Sequence, residues 1–210
     1  MNMRIRRIIH EIISTTVAAA VNPVYQRYMQ KRLRNKDFTI LCSNCIGGII
    51  YHRLGLQFRS PTINLWMKQR DCIKLAANID KYRTQQLQFI ETDYTYPVAM
   101  LDDITIYFNH SSDERSAADD WYRRMERINV DNVFVIIYDR ESLTDREIIQ
   151  LENLPCKAYM VLSDTGRPGI NCVKKIKPSG KSNGQQFLDR RWHGLHTFET
   201  QFDFVKWLNQ

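Results

Sequence analysis

The chain has 210 residues, 43% of them hydrophobic and 11% aromatic, which is enough for one sizeable core and argues against global disorder. Its net charge of +7 sits at one end: residues 1–36 hold eight basic side chains against one acid, Glu11, and the remainder balances 22 basic against 22 acidic residues. A neutral body excludes the broad basic face of a nucleic-acid binder, and five cysteines, scattered at 42, 45, 72, 156 and 172, exclude a disulfide framework and fit reduced thiols in a cytoplasm.

At the N-terminus, Ile5, Ile8, Ile9, Ile12, Ile13 and Val17 recur at helical spacing with Arg4, Arg7 and Glu11 between them. The stretch imitates a signal peptide, but His10 and Glu11 interrupt it and it is too short to cross a bilayer. Two readings stand for this basic arm, residues 1–36. One is an amphipathic helix on the anionic face of a membrane, making the protein cytoplasmic and peripheral. The other is a helix packed on the body or on a second subunit. Asn22-Pro23 predicts a break, with a short basic helix over 24–35.

Beyond the arm, residues 37–210 alternate between strand and helix patterns. FTILC (38–42) reads as a buried strand and 46–54 as a helix. A turn follows at Ser60-Pro61-Thr62, then a helix over 63–82 and a strand at 86–90. Residues 97–110 hold a hairpin turning at Asp102-Asp103 and ending in the strand ITIYF. A charged helix over 111–128 is capped by the serines or Asp113, and VFVIIY (133–138) is a central strand. Thr144 caps a helix reaching Leu154, and 158–162 is another buried strand. Residues 163–190 read as loops around one short strand, and 202–208 as a closing helix. The alternation predicts a three-layer α/β domain with a mainly parallel central sheet.

The chemically distinctive stretch is TILCSNCIGGIIYHRLGL, residues 39–56. Cys42 and Cys45 could supply half of a zinc site, but no second compact pair exists to complete it. A thioredoxin-like couple also places C-x-x-C between strand and helix, though Ile46-Gly47-Gly48 is an unusual helix entry. The glycine turn suits an anion at a helix N-terminus, without the spacing of a nucleotide fingerprint. The same geometry suits a Cys45 nucleophile, its thiol at the helix start beside amides that could hold an oxyanion. Against all four stands a plain packing role, which fits Cys42 best.

SNCIGGIIYHRLGLQFRSPTINLW resembles the opening of a bacterial family of exopolysaccharide-biosynthesis proteins, catalogued as domain of unknown function 1919. Two further blocks follow in order, YPVAMLDDITIYFNHSSDERSAADDWYRRMERINVDNVFV and FDFVKWLN, so the resemblance spans about residues 37 to 209. It implies a place in capsule, exopolysaccharide or lipopolysaccharide synthesis, as an acyl- or acetyltransferase. The family pattern before the glycines reads Ser-Asn-Asn-Cys, so Asn44, Cys45, Gly47 and Gly48 match while Cys42 and Ser43 depart. The departure demotes the C-x-x-C pair and puts the site at Cys45 and Asn44.

A base is needed beside such a thiol. His110, two residues past ITIYF, is the best placed, with His52 second and the histidines of RRWHGLHTF (190–198) more simply read as loop packing. On the 111–128 helix, Arg124 and Arg127 could clamp donor phosphates, or could merely pair with Asp119, Asp120 and Glu126. The expectation is an acyl transfer to a saccharide with Cys45 and His110 as catalytic residues. Ser43, Asn44, Gly47, Gly48, Arg124 and Arg127 would bind substrate or donor, with no metal and no permanently bound cofactor. The donor would be an acyl-CoA or a nucleotide sugar. Glycosyl or sugar-phosphate transfer without covalent work by Cys45, and a non-catalytic, membrane-docked assembly factor, are the alternatives.

Overall fold

The computed structural model describes residues 3–140, 142–178 and 187–210. In chain order its elements are α1 (Met3–Arg32), β1 (Thr39–Cys42), α2 (Ile46–Leu54), α3 (Gln69–Ala77), α4 (Ile79–Arg83), β2 (Gln88–Ile90), β3 (Val98–Leu101), β4 (Ile104–Tyr107), α5 (Glu114–Met125), β5 (Val133–Tyr138), α6 (Asp145–Gln150), β6 (Ala158–Ser163), β7 (Val173–Lys175) and α7 (Phe204–Leu208). Strands β1, β5, β6 and β7 form one sheet in that order, every pairing parallel. Strands β2, β3 and β4 form a separate antiparallel meander. This is the α/β fold with a mainly parallel sheet that the alternation predicts.

The parallel sheet is covered on both faces, which is why β5 is apolar at every position and buried throughout. Side chains alternate between the faces. Leu41, Val133, Val135, Ile137 and Val161 enter one core with Leu75, Trp121 and Ile106, from α3, α5 and β4. Ile40, Cys42, Phe134, Ile136 and Leu162 enter the other with Ile50, Tyr51 and Trp207, from α2 and α7. Removing a ring such as Phe134 from this second core would cost about 3–5 kcal/mol.

Two expected boundaries are corrected. Helix α1 does not break at Asn22-Pro23 but continues to Arg32. Proline removes one ladder bond, and tertiary packing outweighs that loss. Met29 and Leu33 are buried in the second core, the Tyr25 hydroxyl donates to the Glu199 carbonyl at 3.2 Å, and Asn22 Oδ1 accepts from Arg53 Nη1 at 3.0 Å. Much of the amphipathic pattern falls on the side chains of residues 4–10, outside the described part. The expected helix over 63–82 begins only at Gln69 and is interrupted at Asn78. Residues 63–68 are instead a strap between the two sheets, with Trp66 bridged to Tyr107. The expected loop at 163–190 is described only outside residues 179–186.

Candidate functional site

The site forms where β1 ends and α2 begins, at the carboxyl end of the parallel sheet, where open α/β sheets place their ligands. Ser43 ties this end together: its Oγ accepts from the Tyr138 backbone N–H at 3.1 Å, and its carbonyl accepts from Met67 N at 3.2 Å. Asn44 Oδ1 accepts from Ile46 N at 3.1 Å and from the Cys42 thiol at 3.2 Å. With its oxygen held by two donors, the amide is oriented and its Nδ2 is not used in these bonds. Gly47 packs on β1, where a Cβ would lie 3.4 Å from Cys42 Cβ and from Ile40 Cγ2. Gly48 approaches the strap, its would-be Cβ lying 3.4 Å from Ile63 Cγ2. The glycines let the helix start lie close to its neighbours.

Cys45 is the residue preceding α2, and its carbonyl accepts the first helical bond, from Ile49 N at 3.1 Å. Its Sγ lies 3.5 Å from Nε2 of His110. The two are 65 positions apart in sequence. His110 reaches this place because the strap is tied to both sheets. Met67 bonds to Ser43, and Trp66 exchanges backbone bonds with Tyr107 at 3.0 Å in both directions. Phe108, Asn109 and His110 then run off the end of β4 toward Cys45.

Burial pushes the Cys45 thiol up from its ordinary range. A helix N-terminus acts the other way, but here burial is the larger effect, so the resting sulfur is a thiol. A half-buried thiol touching an imidazole has what nucleophilic activation requires, a base in contact. Cys42 differs: it is wholly buried, and burial pushes its thiol up to about 11 against the opposing backbone amides of Asn44, Gly47 and Ile46. The Cys42 sulfur thus occupies the amide cradle that the glycine turn was expected to offer an anion. Asn44 Nδ2, rather than those amides, is the donor available to an oxyanion.

Two cavities of about 520 Å³ each meet at Cys45. The first is lined by Asn44, Trp66, Lys68, Tyr96, Asn109 and Arg140 among others. Asn109 Oδ1 is buried there without a hydrogen-bond partner, a state that costs about 1–3 kcal/mol. The second holds His110 with Gly48, His52, Arg53, Arg190 and His196. Arg53 is committed to Glu199 through two bonds at 2.7 and 3.0 Å, with side chains only 11% and 0% exposed. Burial pulls the His196 imidazole below its usual range. Among the described residues, no group of three His, Cys, Asp or Glu could hold a metal ion.

Residues 17–209 match the family described as a domain of unknown function, DUF1919. The chain belongs to the DUF1919 family. An uncharacterized protein of Haemophilus influenzae is 35% identical over 185 residues, covering 87% of this chain and 89% of that one. The family match begins inside α1, in keeping with the burial of Met29 and Leu33.

In this DUF1919 protein the expected site residues divide into two groups. Ser43, Asn44, Cys45, Gly48 and His110 converge on the two cavities. Gly47 faces β1 instead. Arg124 and Arg127 line neither cavity. Arg124 is 8% exposed, donates from Nη1 to the Ile63 carbonyl at 2.8 Å and pairs with Asp120. It props the strap, and its pairing with Asp120 is the alternative that stood beside the phosphate clamp. Sequence reasoning missed Trp66, Lys68, Tyr96, Asn109 and Arg140. Only Asn109, next to His110 at the end of ITIYF, carried a positional signal.

Proposed function

We propose that this protein is a cysteine-dependent acyltransferase of surface-polysaccharide synthesis, which moves an acyl group from a thioester donor such as an acyl-CoA to a saccharide hydroxyl. The observation that carries the reading is the 3.5 Å contact of Cys45 Sγ with His110 Nε2 at the meeting of two cavities. The resemblance to exopolysaccharide-biosynthesis proteins supplies the saccharide.

In the first half-reaction the Cys45 S–H proton passes to His110 Nε2 as Sγ attacks the donor carbonyl. Asn44 Nδ2 donates to the resulting oxyanion, the donor C–S bond breaks, and the departing thiolate takes the proton from His110. In the second, the acceptor hydroxyl gives its proton to His110 and attacks the thioester on Cys45. The new ester forms, and the Cys45 sulfur leaves and regains the proton. Two cavities on either side of one sulfur suit a donor and an acceptor that use it in turn.

Residues 1–36 would hold the enzyme peripherally on the anionic inner face of the membrane. Their concentrated positive charge and the exposed Ile12 and Ile13 support this. Among the described residues no helix is long and apolar enough to cross a membrane.

The test is intact mass spectrometry after incubation with a panel of acyl-CoAs. The expected result is one acyl group added to the wild type, released by hydroxylamine, absent in Cys45→Ala, and formed roughly 10²–10⁴-fold more slowly in His110→Ala. His193→Ala, outside both cavities, is the matched control. No adduct with any donor, together with stabilisation by nucleotide sugars that is indifferent to Cys45, would sink acyl transfer and favour glycosyl or sugar-phosphate transfer.

A further inference from the structure

We infer that the first cavity binds the acceptor as an anionic sugar, a hexose carrying a phosphate or a carboxylate, with Lys68 and Arg140 holding the acidic group beside Cys45. The acyl-transfer reading says only that a saccharide is acylated; this names its class, and rests on that reading for the reaction alone.

The cavity wall combines three kinds of group. Lys68 and Arg140 are exposed cations, and neither forms an ion pair among the described residues. Among the described residues no carboxylate lines the cavity to neutralise them. Arg70, the next cation along α3, is by contrast paired with Glu147 at 2.7 Å, so a cation left open here is a local feature. An arginine and a lysine together match a phosphate or carboxylate, the arginine in bidentate fashion.

The amides of Asn44 and Asn109 supply the second kind. Asn44 Oδ1 is held by Ile46 N and the Cys42 thiol, so its Nδ2 can donate to a hydroxyl, and Asn109 lines the same wall with its Oδ1 buried and unpartnered. Trp66 and Tyr96 supply the third, with Trp66 Nε1 donating to Tyr96 Oη at 3.3 Å and Trp66 stacked on Tyr107 at 3.7 Å. Their rings are rigid apolar walls with polar tips, suited to a ligand that alternates C–H faces with hydroxyls. In the second cavity Arg53 is committed to Glu199, and Arg190 is the exposed cation. That cavity is left for the thioester donor.

Binding is tested without turnover, on the full chain carrying Cys45→Ala, so a failure of the chemistry cannot mask the result. Calorimetry would compare glucose, galactose and mannose with their 1-phosphates and their uronic acids. At least one anionic form should bind at least tenfold more tightly than its neutral parent, and Lys68→Ala with Arg140→Ala should erase that margin. Preference for phosphates alone or uronates alone identifies which acid the cavity takes, and either supports the inference. Equal binding of neutral and anionic sugars, no binding of any, or a margin unchanged in the double variant would overturn it. So would displacement of the sugar by coenzyme A with the same dependence on Lys68 and Arg140, which would give the cavity to the donor. Acylation of Cys45 in the wild type, read separately by mass, reports on the reaction whichever way the binding falls. Retained melting temperatures in the variants would show that lost binding is not lost folding.

Discussion

Trp66 and Tyr107 exchange both backbone hydrogen bonds at 3.0 Å and stack their rings at 3.7 Å, and this pairing places His110 beside Cys45. Neither residue is catalytic; each positions. Trp66 belongs to the strap that bonds to Ser43, and Tyr107 closes β4 three residues before His110. The contact couples the carboxyl end of the parallel sheet to the antiparallel meander.

Trp66→Ala should therefore keep the fold and lose the geometry. A misplacement of about 1 Å at a reacting pair can cost roughly 10²-fold in rate, so Cys45 acylation should slow by about that factor while far-ultraviolet circular dichroism is unchanged. Trp66→Phe keeps a stacking ring and should recover most of the rate. An acylation rate unaffected by the alanine variant would show that the strap does not position His110.

The centre of the sheet was legible because β5 and β6 are apolar runs, VFVIIY above all, whereas β7, Val-Lys-Lys, carries no such signal. The Cys45–His110 pair was legible in parts, since each residue lies three positions past the end of a strand and strand ends are where α/β folds gather their chemistry. Their approach to 3.5 Å was not legible, because it depends on residues 63–68 forming a strap rather than a helix. Local pattern there favours helix; the Trp66–Tyr107 bridge is a long-range pairing with no sequence period. Pro23 misled for the same reason, since what holds α1 together is contact with Arg53 and Glu199, far along the chain.

Arg124 separates a structural from a ligand-binding arginine. Its guanidinium is spent on the Ile63 carbonyl and on Asp120. Arg124→Ala should lower stability by about 1–3 kcal/mol, the range for a buried hydrogen-bonding group deprived of its partner. The KM for donor, measured on the folded fraction, should hold. A raised KM with unchanged urea midpoint would return Arg124 to the donor site.

The thiols set an alkaline limit on stability. Burial pushes Cys42 and Cys156 up to about 11, while an unfolded thiol ionises near its ordinary value of about 8.5. The folded chain then holds these protons more tightly than the unfolded chain. Stability is full below about 8.5 and declines as pH rises from there toward about 11. Cys42 alone should contribute on the order of 2 kcal/mol to the decline by pH 10.5. Urea unfolding at pH 7.5 and 10.5 should show a smaller pH effect in Cys42→Ala than in wild type. An identical decline in both would mean that Cys42 ionises as readily in the folded state as in the unfolded one.

Gly194 and Gly169 allow a matched test of how α1 is held. Both have left-handed backbones, at φ +84 and +83, so alanine strains each by a similar amount, roughly 1–3 kcal/mol. Around Gly169 a Cβ would meet nothing within 4 Å. At Gly194 it would lie 2.6 Å from Ala18 Cβ and 2.6 Å from Asn22 Nδ2, on α1. Something must move, and the neighbouring bond from Ser14 Oγ to the Trp192 carbonyl, 2.8 Å long, lies on the same seam. Gly194→Ala should thus loosen α1 from Ala18 and Asn22 onward and expose Arg27 and Lys31 to trypsin several-fold faster than Gly169→Ala, at similar cost to the core. The core can be followed by the hydrogen-exchange protection of β5, which should fall equally in the two variants. Equal proteolysis in both would mean that α1 does not depend on this contact. Loss of β5 protection in Gly194→Ala alone would mean that α1 is a working part of the domain core rather than an arm laid against it.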